Sequence, residues 1–135
     1  MPSGAVPIWS NTAIIITWDD WGGWYDHVPP PQVSINNNNW GSGYVYGFRV
    51  PLIVVSPYAK AGYISHATHD FGSILNFIEQ VFNLSSLGFA DAHADDLSDC
   101  FNFNQAPLQF QKIPAPMSAA HFLNDRTPAA DPDDE

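Results

Sequence analysis

Two short runs of branched aliphatic residues limit what this chain can fold into. TAIIITW, residues 12–18, and VPLIVVS, residues 50–56, are apolar and lack polar alternation. That pattern predicts strands buried on both faces, as in a parallel sheet covered by helices. The first run stops at the acid pair Asp19-Asp20 and the second at Pro57. A chain of 135 residues is one domain's worth or less, and it can bury a core with a modest margin.

Around these runs the sequence is punctuated by turn-forming residues. Residues 1–11 are rich in Pro, Ser and Gly and read as an irregular lead-in. Gly22-Gly23 permits a sharp backbone path after the acid pair, and Pro29-Pro30-Pro31 forces an extended exit. Residues 32–47, with four consecutive asparagines, read as a long polar loop. Asp70 is placed to cap a helix in which Phe71, Ile74, Leu75, Ile78, Val81 and Phe82 form one apolar stripe, expected to be core. Residues 95–103 hold at most a short turn of helix opened by an Asp. The order strand, loop, strand, helix suits an α/β layer, but two strands and one helix leave such a layer incomplete.

Only Arg49, Lys60, Lys112 and Arg126 are basic, and the net charge is -10. This balance argues against a basic face for nucleic acid or an anionic membrane. It also makes phosphate binding hard to explain without a metal ion. The single cysteine, Cys100, excludes an internal disulfide. No apolar stretch is long enough to span a bilayer, and MPSGAVPIWS lacks the pattern of a secretory signal.

The acid pair is the first candidate site. Adjacent carboxylates repel unless a cation joins them or water screens them. At a strand-to-turn transition both side chains can converge on one ion, and carboxylates suit hard divalent cations. The same residues also fit a solvated turn in which each carboxylate bonds nearby backbone N–H groups. Asp26-His27 offers a possible pair for proton transfer, or a turn clamp ahead of the prolines. His66 and His69 lie three apart in the loop before the helix, where a phosphate or metal would be well placed, though a surface position is the commoner fate. Trp18, Trp21, Trp24 and Tyr25 can wall a pocket or pack the turn onto the sheet. Ser56 has no G-x-S-x-G context and precedes a proline, so it is not a nucleophile candidate.

Three longer strings carry a resemblance. TAIIITWDDWGGWYDHVPPP resembles the signature of the bacterial phosphoesterase family that includes non-specific phospholipases C and an acid phosphatase. GFRVPLIVVSPYAKAGYISHATHDFGSILNFIEQVFNL is similar to that family's next block, and DAHADDLSDCFNF to its closing block, where Arg is more usual at the position of His93. The resemblance runs from about residue 11 to about residue 110. It implies an alkaline phosphatase-like α/β sandwich around a largely parallel sheet. It also implies a metal-assisted phosphoester hydrolase that works through a hydroxyl nucleophile and a covalent phospho-enzyme.

By the same resemblance Asp19 and Asp20 correspond to metal ligands, with Asp20 departing from the usual Glu. Asp26, His27 and Val28 match the family's Asp-His-Val step, and Ser65 and His66 its Ser-His step. His27 and His66 are thereby placed near the reacting atoms. The family's E-N-x-S-F-D motif and the nucleophile segment do not occur in the chain. The implied organisation is a C-terminal portion, residues 1–110, followed by a poorly ordered Pro/Asp-rich tail over 111–135. The implied cofactor is a divalent metal ion. The implied partners are a phosphoester substrate and the N-terminal half of the same enzyme, and without that half the chain is expected to be inactive. Family members are commonly exported. Two other readings stand beside this one: a non-catalytic remnant, and a small binding module using the Trp-rich turn.

Overall fold

A computed structural model describes residues 8–20, 22–31, 45–112 and 114–128. The lead-in over 1–7, Trp21, most of the expected polar loop and the last residues of the tail lie outside the described residues. Strands β1 (Ile14–Thr17) and β2 (Leu52–Val55) form where the branched aliphatic runs place them. Their pairing is antiparallel, with Ile14 opposite Val55 and Thr17 opposite Leu52. The Thr17 hydroxyl donates to the Pro51 carbonyl at 2.9 Å and ties the end of the ladder.

This arrangement corrects the expected fold. The described residues hold a two-stranded antiparallel sheet and two α-helices, not a partial alkaline phosphatase-like sandwich with a largely parallel sheet. Parallel neighbours need a crossover, usually helical. The described residues between the strands contain no helix, and Gly22 and Gly23 there carry positive φ values. The expectation of strands buried on both faces fails with it. Ile14, Ile16 and Ile53 are exposed, while Ile15 and Val54 are half-buried on the other face.

Helix α1 (Phe71–Phe82) follows the sequence closely, because its signals are local. The Asp70 carboxylate accepts the Ser73 N–H and the Ser73 hydroxyl accepts the Asp70 N–H, each at 3.1 Å, a reciprocal cap. The second Asp70 oxygen accepts the Tyr46 hydroxyl at 2.9 Å. Burial, then this bond to Asp70, pushes the Tyr46 phenol up to about 12. At the far end Asn83 adopts a left-handed conformation, and the Leu84 N–H reaches back to the Glu79 carbonyl at 2.8 Å.

The docking face of α1 differs from the one its apolar stripe predicts. Phe71, Leu75, Ile78, Val81 and Phe82 are exposed. The helix instead meets the segment after it through Gly72, Asn76, Phe77 and Gln80. Any Cβ at Gly72 would lie 2.7 Å from the Ala90 carbonyl carbon, so only glycine permits this approach. Asn76 donates to the Ala94 carbonyl at 2.9 Å and Gln80 to Asp96 at 3.1 Å. The Phe77 ring stacks on Phe101, which stacks in turn on Phe103, at centroid distances of 4.7 and 5.3 Å. Such pairs add about 0.5–1.5 kcal/mol beyond burial.

The small core sits under this segment. Leu97 and Phe101 are the buried large apolar side chains among the described residues. Asp91 is buried with them and is satisfied locally. Its carboxylate accepts the Ser86 hydroxyl and the N–H groups of Gly88 and Phe89, and the Ser86 bond chiefly holds the carboxyl down at about 2. The short turn expected over 95–103 is a single 3-10 turn, Ser98–Cys100. Within the Pro/Ala/Asp-rich tail, helix α2 (Ala119–Asn124) is capped by Ser118. No helix among the described residues is long and apolar enough to cross a membrane.

Candidate functional site

Asp19 and Asp20 lie directly after β1, as the sequence places them. Both are exposed. Asp19 Oδ1 accepts the Asp20 N–H at 3.0 Å, and Asp20 Oδ1 accepts the Gly22 N–H at 2.5 Å. Gly22 and Gly23 carry the positive φ values that this tight path requires. One oxygen of each carboxylate is therefore engaged by the adjacent backbone, and the other has no hydrogen bond among the described residues. As cation donors the two fit a hard divalent ion, which needs more ligands than this pair supplies.

Asp26 and His27 are not brought together. The Arg49 guanidinium clasps Asp26 with both forks, Nε to Oδ2 at 2.7 Å and Nη2 to Oδ1 at 3.1 Å, and the Val28 N–H adds a third bond at 3.1 Å. The guanidinium, followed by the backbone bond, holds the Asp26 carboxyl well below the usual range. Asp26 is thus the clamp that joins the proline turn to the entry of β2. His27 is exposed and makes no hydrogen bond among the described residues. Trp18, Trp24 and Tyr25 are exposed rather than packed on the sheet. Trp24 retains 71 % of its surface, and Tyr25 meets Phe48 edge-on at 5.7 Å.

His66 is also exposed, but its neighbour Ser65 belongs to a cluster that sequence reasoning did not assemble. Asp99 is its centre. Its Oδ2 accepts the Ser65 hydroxyl at 2.5 Å and the Tyr63 hydroxyl at 3.1 Å, and its Oδ1 accepts the Cys100 thiol at 3.4 Å. The Asp99 carbonyl accepts Lys60 Nζ at 2.6 Å. His69 Nε2 lies 2.8 Å from Ser65 Oγ and 3.5 Å from Asp99 Oδ1. Its Nδ1 lies 2.6 Å from Asp95 Oδ1 without forming an aligned hydrogen bond.

The electrostatics follow from these contacts. Burial alone would raise the Asp99 carboxyl, but bonds from Ser65, Tyr63 and Cys100, with His69 nearby, hold it below the ordinary value. Burial, reinforced by Asp99, pushes the Cys100 thiol up to about 11. Backbone pairing sets the frame. Lys60 N–H donates to the Cys100 carbonyl at 2.9 Å and Asn102 N–H to the Tyr58 carbonyl at 2.8 Å, so residues 58–60 run against 100–102.

One donor atom from each of His69, Asp99 and Cys100 lies within 4.8 Å of the other two. The described residues therefore include a His/Asp/Cys set able to coordinate a metal ion, in keeping with the divalent cofactor expected. The sequence signal was slight: His69 stood out only as the partner of His66, and Asp99-Cys100 lay in a string without familiar ligand spacing.

The phosphoesterase family pattern matches residues 4–85, a span that holds both strands, the acid pair, His27, His66 and α1. The chain is 31% identical to a non-hemolytic phospholipase C of Burkholderia pseudomallei over 79% of its length, 19% of that protein's. It is 33% identical to phospholipase C B of Mycobacterium tuberculosis, covering 74% of this chain and 23% of the relative. With non-specific phospholipase C6 of Arabidopsis thaliana it shares 34% identity, covering 88% and 27% respectively. The chain belongs to the phosphoesterase family, and it spans about a fifth to a quarter of the length of these curated relatives.

Proposed function

We propose that this chain is the C-terminal portion, over residues 1–110, of a metal-dependent phosphoester hydrolase of the phospholipase C or acid phosphatase type. The observation that carries the reading is the family match over 4–85, which contains the Asp19-Asp20 step at the end of a strand. In this reading Asp19 and Asp20 supply hard oxygen ligands, and a longer polypeptide supplies the remaining ligands and the nucleophile. A bound divalent ion would polarise the phosphoryl oxygens of the substrate. His27 and His66, both exposed, serve as proton-transfer or phosphate-orienting groups facing that substrate. Asp26 holds the turn that carries His27 in place through Arg49.

The exposed apolar residues support a partner for these elements. Ile14, Ile16 and Ile53 on the sheet, and the stripe of α1, present faces that a longer chain of the same enzyme would cover. The test uses the longer enzyme. Asp19→Ala is expected to abolish turnover of a chromogenic phosphodiester and to remove bound divalent metal in the same step. Full metal content in that variant refutes the ligand assignment. The 135-residue chain by itself is expected to show no turnover with or without added metal, and robust turnover abolished by Asp19→Ala would overturn the need for a second portion.

A further inference from the structure

We infer that His69, Asp99 and Cys100 form a second cation site, of the zinc class, whose role is to staple the loop ahead of α1 to the 95–101 segment. The inference is independent of the hydrolase reading, because it rests on residues other than the acid pair. Tetrahedral zinc bonds place neighbouring donor atoms roughly 3.3–3.8 Å apart. Two separations already match: His69 Nε2 to Asp99 Oδ1 is 3.5 Å, and Cys100 Sγ to Asp99 Oδ1 is 3.4 Å. The third, imidazole to thiol, lies within the 4.8 Å spread of the set, so a small contraction brings three donors to tetrahedral spacing and leaves the fourth position to water.

The donor chemistry selects the ion. Nitrogen, sulfur and one carboxylate oxygen suit zinc or its neighbours, whereas magnesium and calcium require oxygen sets. Asp95 supplies the usual outer support. It lies 2.6 Å from Nδ1, on the far side of the imidazole ring, without an aligned hydrogen bond, and its negative charge favours a cation on that ring. Without a cation, the place between Sγ and Oδ1 is filled by the thiol proton. On binding, the S–H bond breaks, a sulfur–metal bond forms, and the proton leaves to solvent.

The need for such a staple is visible in the packing. The loop over 60–69 and the turn Ser98–Cys100 meet through polar groups, and the buried apolar side chains nearby are Leu97 and Phe101. Small cores of this kind gain most from a cross-link. The staple would also immobilise His66, which lies between Ser65 and His69.

The experiment titrates the purified, chelator-stripped protein with cobalt(II) and reads the thiolate-to-cobalt charge-transfer band. The expected result is one band-forming site, abolished in Cys100→Ser and in His69→Gln. Asp95→Asn should keep the band, with affinity lowered by the loss of the carboxylate charge beside the imidazole. The double variant Asp19→Asn, Asp20→Asn should keep both band and affinity, which separates this site from the proposed catalytic one. As a check that needs no variant, zinc but not magnesium should protect Cys100 from alkylation and raise the melting temperature. Absence of the band in protein with unchanged circular dichroism would overturn the inference. So would equal protection by magnesium, or loss of the band in the acid-pair variant alone.

Discussion

Two acidic regions of this molecule are built in opposite ways. At Asp19-Asp20 the carboxylates bond to the N–H groups of residues one and two positions on, and stand in solvent. At Asp99 the carboxylate is reached by Ser65 and Tyr63, 34 and 36 residues away, and is half-buried. A locally satisfied acid can be reorganised by a ligand at little cost to the fold. One bonded across the chain contributes to the fold itself, and any ligand there must replace bonds that already hold two segments together.

Substitutions that separate the two regions should range from severe to silent. Leu97, with 0% exposure, accepts the Cys100 N–H at its carbonyl two residues before Asp99, and Leu97→Ala should lower unfolding stability by about 2–5 kcal/mol in urea titration. An undiminished midpoint would show that the cluster does not depend on the core. Asp99→Asn, measured with chelator present, should cost about 1–2 kcal/mol at neutral pH, since hydrogen bonds to a charged acceptor are lost where the site is partly screened. The Asp99 carboxyl is held below its ordinary value of about 4. Its contribution is therefore complete above that pH and fades as pH falls beneath it. The wild type and the Asn variant should converge in stability in acid; a gap that persists there would assign the effect to shape rather than charge. At the silent end, the double variant Asp19→Asn, Asp20→Asn should leave the midpoint within error of wild type. A marked loss would make the acid pair part of the fold.

The same contrast explains what could be read from the residues alone. Helix α1 and its cap were legible because Asp70 and Ser73 are three residues apart and the signal is complete within one turn. The strands were legible as strands, but not their direction, which nothing within either four-residue run encodes. The inward face of α1 was misjudged, since an apolar stripe marks what wants covering, whereas the covering segment meets Gly72, Asn76 and Phe77. The Asp99 cluster escaped notice because its members join from three stretches of sequence, with no spacing that ordinary ligand patterns share.

One consequence follows from the two-stranded sheet. Among the described residues β1 and β2 pair only with each other, so each keeps an outer row of main-chain donors and acceptors beside exposed isoleucines. Such a ribbon is a template for any extended peptide that docks alongside. Expressed without a covering chain, the protein should self-associate through these rims. Its solubility on co-expression with candidate segments then becomes a simple screen for the strand that belongs there.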